Sequence, residues 1–344
     1  MHICHINLAK GFRGGERQTL LLIEGLSNKG IKQTLICRKK TPMESKAKAI
    51  PNLTTIAIHK PFILHLLKCT DADFMHAHEG RSCHFAHLNY LINSTPYLIT
   101  RRIPNKPKQN FITHRTYRNA QRIIALSHAI KHNLQQYDKQ LPIEVIPSMF
   151  SDLSVNQNHV IQLQKKYQGK TLIGHIGALV NHHKGQQTII QAAKTLQTSH
   201  PHVQFLLLGQ GKDESWLKKQ ASGLNNIEFV GFIDNVGDYI KLFDLFVFPS
   251  WEEGLGSILL DIMQFQVPII ASNVDGIPDI IQHKHSGLLI EPKAAEQLTA
   301  AIIELLANAA YAHQLALNAS QHLNNYSMDN IANRYLTVYQ QLLR

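Results

Sequence analysis

Short apolar runs alternate with amphipathic stretches along the whole 344-residue chain. In the first half the strand-like runs are 2–6, 34–37, 54–58, 74–78, 97–100, 123–126 and 145–146. A glycine loop (Gly11, Gly14, Gly15) follows the first run, and the spacing predicts a helix over 19–28 that stops at Gly30. Ser127 is a good N-cap for a helix running through Leu134. The pattern restarts with a strand at 172–176 and a helix at 187–196, then strands at 205–208, 227–230, 245–248, 269–271 and 287–290. Strands alternating with helices indicate parallel sheets covered by helices on both sides. Two such series predict two doubly wound α/β domains, 1–155 and 165–325, with the polar, strand-free stretch 151–169 containing the linker. Residues 326–344 have helical apolar spacing (Ile331, Tyr335, Val338, Tyr339, Leu342), and this tail helix is expected to pack back on the first domain.

Ligands of open parallel sheets bind beyond the carboxyl ends of the strands. The glycines fall there: Gly14 and Gly15 in the first half, then Gly177, Gly209, Gly211, Gly254 and Gly256. Two such edges facing each other would make one interdomain cleft. The most informative stretch is FDLFVFPSWEEGLGSILL, from Phe243 to Leu260. An apolar strand ends at Pro249-Ser250, Glu252 and Glu253 follow, and Gly254-Leu255-Gly256 reads as the opening of a helix that carries Asp261. Glycines at a helix start let an anion approach free N–H groups. An ionised carboxylate only accepts hydrogen bonds, which suits hydroxyl groups. Phosphate plus several hydroxyls describes a nucleotide sugar.

Charge adds an asymmetry. The net charge is +11, yet residues 1–150 hold 22 Lys+Arg against 8 Asp+Glu and residues 151–344 hold 13 against 16. A basic first half calls for an anionic partner: a phosphorylated substrate, an acidic membrane surface or nucleic acid. Nucleic acid is disfavoured, because no recognised nucleic-acid module or aromatic-interleaved basic motif is present. Cys4, Cys37, Cys69 and Cys83 fall in no paired spacing, as expected for a reducing cytoplasm. The apolar start Ile3–Ile6 is too short for a signal peptide, and no apolar run approaches the ~20 residues that span a bilayer. Membrane contact is therefore expected to be peripheral.

These residues carry a family pattern. Val230-Gly231-Phe232, the FDLFVFPSWEEGLG run, IIASNVDGIPDII from Ile269 and GLLIEP from Gly287 stand in order. GGERQTLLLIEGLSNKGI from Gly14, His76-Ala77-His78-Glu79 and ALSHAIK from Ala125 precede them. The chain resembles the retaining glycosyltransferases of family four, with the GT-B fold of two facing Rossmann-like domains and an interdomain cleft. The resemblance implies that Glu253 holds hydroxyls of the donor sugar and Asp261 the ribose diol, where the family has glutamate. Lys184 matches a diphosphate-binding lysine, whose arginine companion falls near Ala178. Gly14 and Gly15 match the loop approaching the donor phosphates. The amides of Gly254, Leu255, Gly256 and Ser257 should cradle phosphate or sugar, and Gly231 and Phe232 line the base pocket. Arg102 stands where the family often has histidine, so Arg101 or Arg102 is expected to read an anionic group. His78 is a candidate for positioning the acceptor.

The implied reaction moves a sugar from a nucleoside diphosphate sugar, with a UDP-sugar expected, to a glycan or glycolipid of lipopolysaccharide type. Anomeric configuration is retained, and neither metal nor cofactor is implied. The expected place is the cytoplasm, peripheral on the inner membrane. Rival readings are a non-catalytic nucleotide-sugar-binding subunit and a sugar epimerase of the same fold. Asp71-Ala72-Asp73 imitates a D-x-D metal motif, and His76, His78, His84 and His87 imitate a zinc cluster; both are expected to be incidental. Gly209-x-Gly211 could be a simple tight turn.

Overall fold

A computed structural model describes residues 1–68 and 71–343; Cys69 lies outside them. The chain divides into two compact units, Met1–Met149 with Asn325–Arg344, and Phe150–Asn324.

The first unit is built on strands β1 (His2–Asn7), β2 (Lys32–Arg38), β3 (Leu53–Ile58), β4 (Phe74–Ala77), β5 (Tyr97–Arg101), β6 (Arg122–Ala125) and β7 (Ile143–Val145). They form one parallel sheet in the order β3-β2-β1-β4-β5-β6-β7. The second unit holds β8 (Thr171–Ile176), β9 (Val203–Leu208), β10 (Ile227–Gly231), β11 (Leu245–Phe248), β12 (Ile269–Ser272) and β13 (Leu288–Ile290). Its sheet is also parallel, in the order β10-β9-β8-β11-β12-β13. In each sheet the strand order reverses beside a central strand, β1 or β8, the topology of a doubly wound Rossmann-like unit. Each predicted strand is present, with ends shifted by no more than two residues. The central strands are buried along their length, so they read as mainly apolar runs, broken in β1, β4 and β9 by His2, His5, Asn7, His76 and Gln204.

Two helix boundaries differ from the sequence reading. The first helix begins at Gly14, not Thr19, and runs to Ser27. The Glu16 carboxylate accepts the Arg13 N–H at 2.8 Å, which closes the first turn early. Gly14 and Gly15 therefore sit in that first turn rather than in a free loop. The stretch 151–169 is strand-free, but it contains the helix Gln157–Lys166. Asn156 caps it, and Asp238 anchors it by accepting from the Asn156 N–H at 2.7 Å and pairing with His159 Nδ1 at 2.8 Å.

The tail helix Met328–Leu342 belongs to the first unit, with Ser327 as N-cap. Ile331, Tyr335, Val338 and Tyr339 join Ile3, Phe74, Leu98 and Ile124 in one buried cluster. This helix crosses the Gly14–Ser27 helix at Gly25, where a Cβ would fall 2.9 Å from Met328 Cγ and 3.0 Å from Ala332 Cβ. Only a glycine lets the two helices meet this closely. Gly25→Val is expected to destabilise the first unit by about 1–3 kcal/mol through overpacking, measured by urea unfolding. An unchanged midpoint would refute the close crossing.

Candidate functional site

In the second unit the polar chemistry gathers at the end of β11. The short helix Asn181–Lys184 is closed by Gly185 at φ +64. A side chain at Gly185 would fall 2.0 Å from the Pro249 carbonyl oxygen, so glycine brings Lys184 against the end of that strand. The Lys184 ammonium is bonded to one oxygen of Glu253 and lies 4.9 Å from the Phe248 ring centroid. The other Glu253 oxygen accepts the Gly254 N–H at 3.1 Å. The Glu253 N–H donates to Asp275 Oδ2 at 2.9 Å. Burial raises the Asp275 carboxyl above its ordinary range, and the charges of Glu252 and Glu253 push the same way. Asp275 was not singled out in the sequence, although it lies inside the IIASNVDGIPDII segment. Its role rests on a side-chain contact to a backbone amide far away in the chain, which leaves no local signal.

Gly254-Leu255-Gly256 does not open the helix. The helix is Ile258–Gln264, and the three residues form the loop before it, with Gly256 at φ +83. A positive φ at Gly256 cannot continue a right-handed turn. Among the described residues the N–H groups of Leu255, Gly256 and Ser257 have no protein partner. They are available donors beside Lys184 and Glu253. Asp261 is buried and accepts the Ser151 N–H at 2.6 Å. Gly231 ends β10 and accepts the Gly209 N–H at 2.7 Å, and the Phe232 side chain is exposed. Gly209 and Gly211 are packing glycines: a Cβ on either would strike the backbone of Gly177 or Leu179. Ala178 offers only its carbonyl, which accepts from Gln186 Nε2 at 2.9 Å.

In the first unit three buried imidazoles meet at the carboxyl ends of β1 and β4. His5, His76 and His78 each offer a ring nitrogen within 4.8 Å of the others. Their hydrogen bonds fix the protons. Gln33 Nε2 donates to the Ile23 carbonyl at 2.9 Å, so its Oε1 must be the atom 3.0 Å from His5 Nε2. His5 Nε2 therefore carries a hydrogen, and neutral His5 presents a lone pair on Nδ1. His78 Nε2, 3.0 Å away, must donate to it. That leaves His78 Nδ1 a buried acceptor with no partner. His76 bonds Tyr339 Oη at 2.8 Å and Thr100 Oγ1 at 2.7 Å. Burial lowers the pKa of all three, His5 to about 3, and the Arg102 charge further opposes protonation of His76 and His78. Five of the six ring nitrogens are committed to hydrogen bonds, and the nearby guanidinium further disfavours a cation.

The two other histidines of the sequence cluster face elsewhere: His84 bonds Thr116 and His87 bonds Tyr97. Asp71 pairs with His2 and Lys32, and Asp73 accepts the His2 N–H, so the D-x-D imitation ties down the chain start. The two adjacent arginines separate. Arg101 is bound to Tyr117 Oη and the Asn105 carbonyl. Arg102 lies against Gly15, with Glu16 near, and its Nε is buried without a partner. Arg101 Nε is likewise buried without a partner, but both terminal nitrogens of Arg101 are engaged, by Tyr117 and Asn105.

The comparisons give the family and the fold. Residues 157–322 match the profile "Glycosyl transferases group 1" and residues 12–150 match "Glycosyltransferase Family 4". The chain belongs to the family-four type of group 1 glycosyltransferases. It is similar to the N-acetyl-alpha-D-glucosaminyl L-malate synthase of Bacillus anthracis, 25% identical over 64% of this chain and 60% of that one. It is also similar to the N,N'-diacetylbacillosaminyl-diphospho-undecaprenol alpha-1,3-N-acetylgalactosaminyltransferase of Campylobacter jejuni, 28% identical over 47% of this chain and 43% of that one. The chain spans about half the length of the curated relatives it matches. Anabaena Alr3699/HepE, solved with UDP and glucose, has the same fold at TM-score 0.87, with 17% identity over 99% of this chain and 100% of that one. The fold is GT-B.

The buried imidazoles set a pH dependence. His5 titrates near 3 when folded and His175 in the second unit near 4, both through burial. The ordinary value is about 6.5. The unfolded chain then binds more protons in between, so stability is complete above about pH 6.5 and falls as the pH drops towards 3–4. Each such group removes about 1.4 kcal/mol per pH unit in that window. Calorimetry is expected to show Tm falling from pH 6.5 to 4.5, with a shallower slope in His5→Leu. Equal slopes would contradict the assignment of His5.

Proposed function

We propose that the protein is a retaining glycosyltransferase moving a sugar from a nucleoside diphosphate sugar, with UDP as the expected carrier, to a glycan or glycolipid of lipopolysaccharide type. One observation carries the reading: Lys184 and Glu253 are paired at the end of β11 beside the unpartnered amides of Leu255, Gly256 and Ser257. A diphosphate takes the ammonium and the amides, and sugar hydroxyls take the carboxylate. As the sugar–diphosphate bond breaks, negative charge grows on the leaving group, and donors fixed in advance stabilise it. The departing phosphate takes the acceptor proton on the same face, so the reaction needs no protein base. Gly231 and Phe232 serve the base, and Asp261 serves the ribose in exchange for its Ser151 contact. The likeness to HepE, solved with UDP and glucose, supports the donor class.

In the first unit, His78 Nδ1 suits the hydrogen of an acceptor hydroxyl, and Gly14, Gly15 and Arg102 suit an anionic group. The Campylobacter relative's name describes an acceptor on a lipid diphosphate, which supports a lipid-linked, anionic acceptor at the cytoplasmic face of a membrane. The reading uses no metal and no cofactor, because Lys184 and the amides supply the positive charge.

Thermal shift with UDP, GDP, ADP, CMP and their sugar conjugates, with and without EDTA, tests the donor side. UDP at a hundred times its dissociation constant is expected to add about 2.7 kcal/mol, insensitive to chelator. Lys184→Ala removes the shift, whereas Glu253→Ala keeps the UDP shift and loses the increment from the sugar. No shift with any nucleotide would contradict the proposal. Retention of the shift without turnover would favour the non-catalytic subunit. On the acceptor side, Arg102→Ala is expected to lower kcat/KM about 10–100-fold for an anionic acceptor, in line with a lost charged hydrogen bond, and little for a neutral one. Equal losses would reject the role of Arg102.

A further inference from the structure

Nine large apolar side chains are exposed in one region of the first unit: Ile63, Leu64, Leu67, Leu88, Leu91, Ile92, Ile103, Phe111 and Ile112. Three short elements carry eight of them, the 3₁₀ helix Phe62–Lys68 and the helices Gly80–Asn93 and Phe111–Arg118. The elements form one surface. Asn89 Nδ2 donates to the Leu66 carbonyl at 2.6 Å, and His84 Nδ1 lies 3.1 Å from Thr116 Oγ1. The middle helix turns its exposed stripe outward through Arg81, His84, Leu88, Leu91 and Ile92. A surface helix ordinarily presents polar residues there. Leu64 is 71%, Leu91 62% and Phe111 73% exposed, far beyond scattered surface hydrophobics.

The rim is cationic. Lys60, Lys68, Arg81, Lys106, Lys108 and Arg115 stand around these residues, and none is in an ion pair among the described residues. The Arg115 guanidinium lies 5.2 Å from the Phe111 ring centroid. The acids of the region are otherwise engaged: Asp71 with His2 and Lys32, Asp73 with the His2 N–H, Glu79 as the cap of the Gly80–Asn93 helix, and Asp138 with His114 and Arg118 of the Phe111–Arg118 helix. Among the described residues no single helix is long and apolar enough to cross a membrane.

We propose that this face docks on an anionic lipid bilayer, with Ile63, Leu64, Leu67, Leu91, Ile92 and Phe111 entering the headgroup–acyl boundary and the cations meeting lipid phosphates. Apolar side chains ringed by Lys and Arg fit an apolar layer bounded by anionic headgroups. A second copy fits worse, since a twofold contact would set like cations against each other. The inference deepens the lipid-acceptor reading and rests on it for its purpose, but the test is independent of catalysis.

The test is flotation of the full chain with phosphatidylcholine vesicles and with vesicles containing one-third phosphatidylglycerol, at low and high salt. The wild type is expected to float with the anionic vesicles, and less so in high salt. Leu91→Ser with Ile92→Ser is expected to cut partitioning about tenfold or more. Lys108→Gln with Arg115→Gln weakens only the salt-sensitive part. Both variants should keep the wild-type Tm and UDP shift, which separates loss of docking from loss of fold or donor site. No flotation, flotation unchanged in both variants, or a change of oligomeric state in the Leu91/Ile92 variant by light scattering would overturn the proposal.

Discussion

Two parallel sheets covered on both faces leave polar side chains almost nowhere to go. Along β1, β4, β9 and β11 every residue is buried, and a polar group there costs stability unless it is hydrogen-bonded. Polar side chains inside the sheets are therefore hydrogen-bonded, as His2 is to Thr34, and the candidate site chemistry gathers at the carboxyl ends of the strands and the loops after them. His5, His76 and His78 satisfy this rule in the first unit, and Lys184, Glu253 and Asp275 in the second. In each place the hydrogen bonds that satisfy the buried groups also fix which atoms can receive a ligand. Gln33 is the plainest case: an amide on β2 dictates, through His5, which nitrogen of His78 is left without a partner.

The strands were legible in the sequence because buried parallel strands appear as short, mainly apolar runs between turn signals. Helix starts were less legible. Gly14 and Gly15 look like loop residues, yet Glu16 closes a turn over them; Gly254 and Gly256 look like a helix start, yet the positive φ of Gly256 delays the helix to Ile258. Glu253 and Lys184 stood out because a strand end and glycines flank them, and the structure joins them. Contacts between distant segments could not be read locally. Asp275 under the Glu253 amide, Ser151 on Asp261, and His5 as the third imidazole all come from elsewhere in the chain. Nearby histidines, His84 and His87, were the misleading candidates.

The charge pattern follows the same division. The first unit carries the excess of Lys and Arg, and Arg81 and Arg115, which are in no ion pair among the described residues, lie on helices that also expose apolar side chains. The second unit is close to neutral and concentrates its useful charges in one paired lysine and glutamate. A pair of this kind holds both side chains in place while no ligand is bound, and each partner has a natural replacement in a nucleotide sugar. The departures at Ala178 and Asp261 leave Lys184 as the cation on which the leaving diphosphate depends in this account.

The most direct measurement is release of nucleoside diphosphate from UDP-sugars, with and without a total bacterial lipid extract, in the wild type and in Lys184→Ala. The account predicts lipid-dependent release by the wild type and a loss of about 100-fold or more in the variant, the size seen when a fixed donor to a developing anion is removed. Equal release by both proteins would contradict the central role given to Lys184 and its partner.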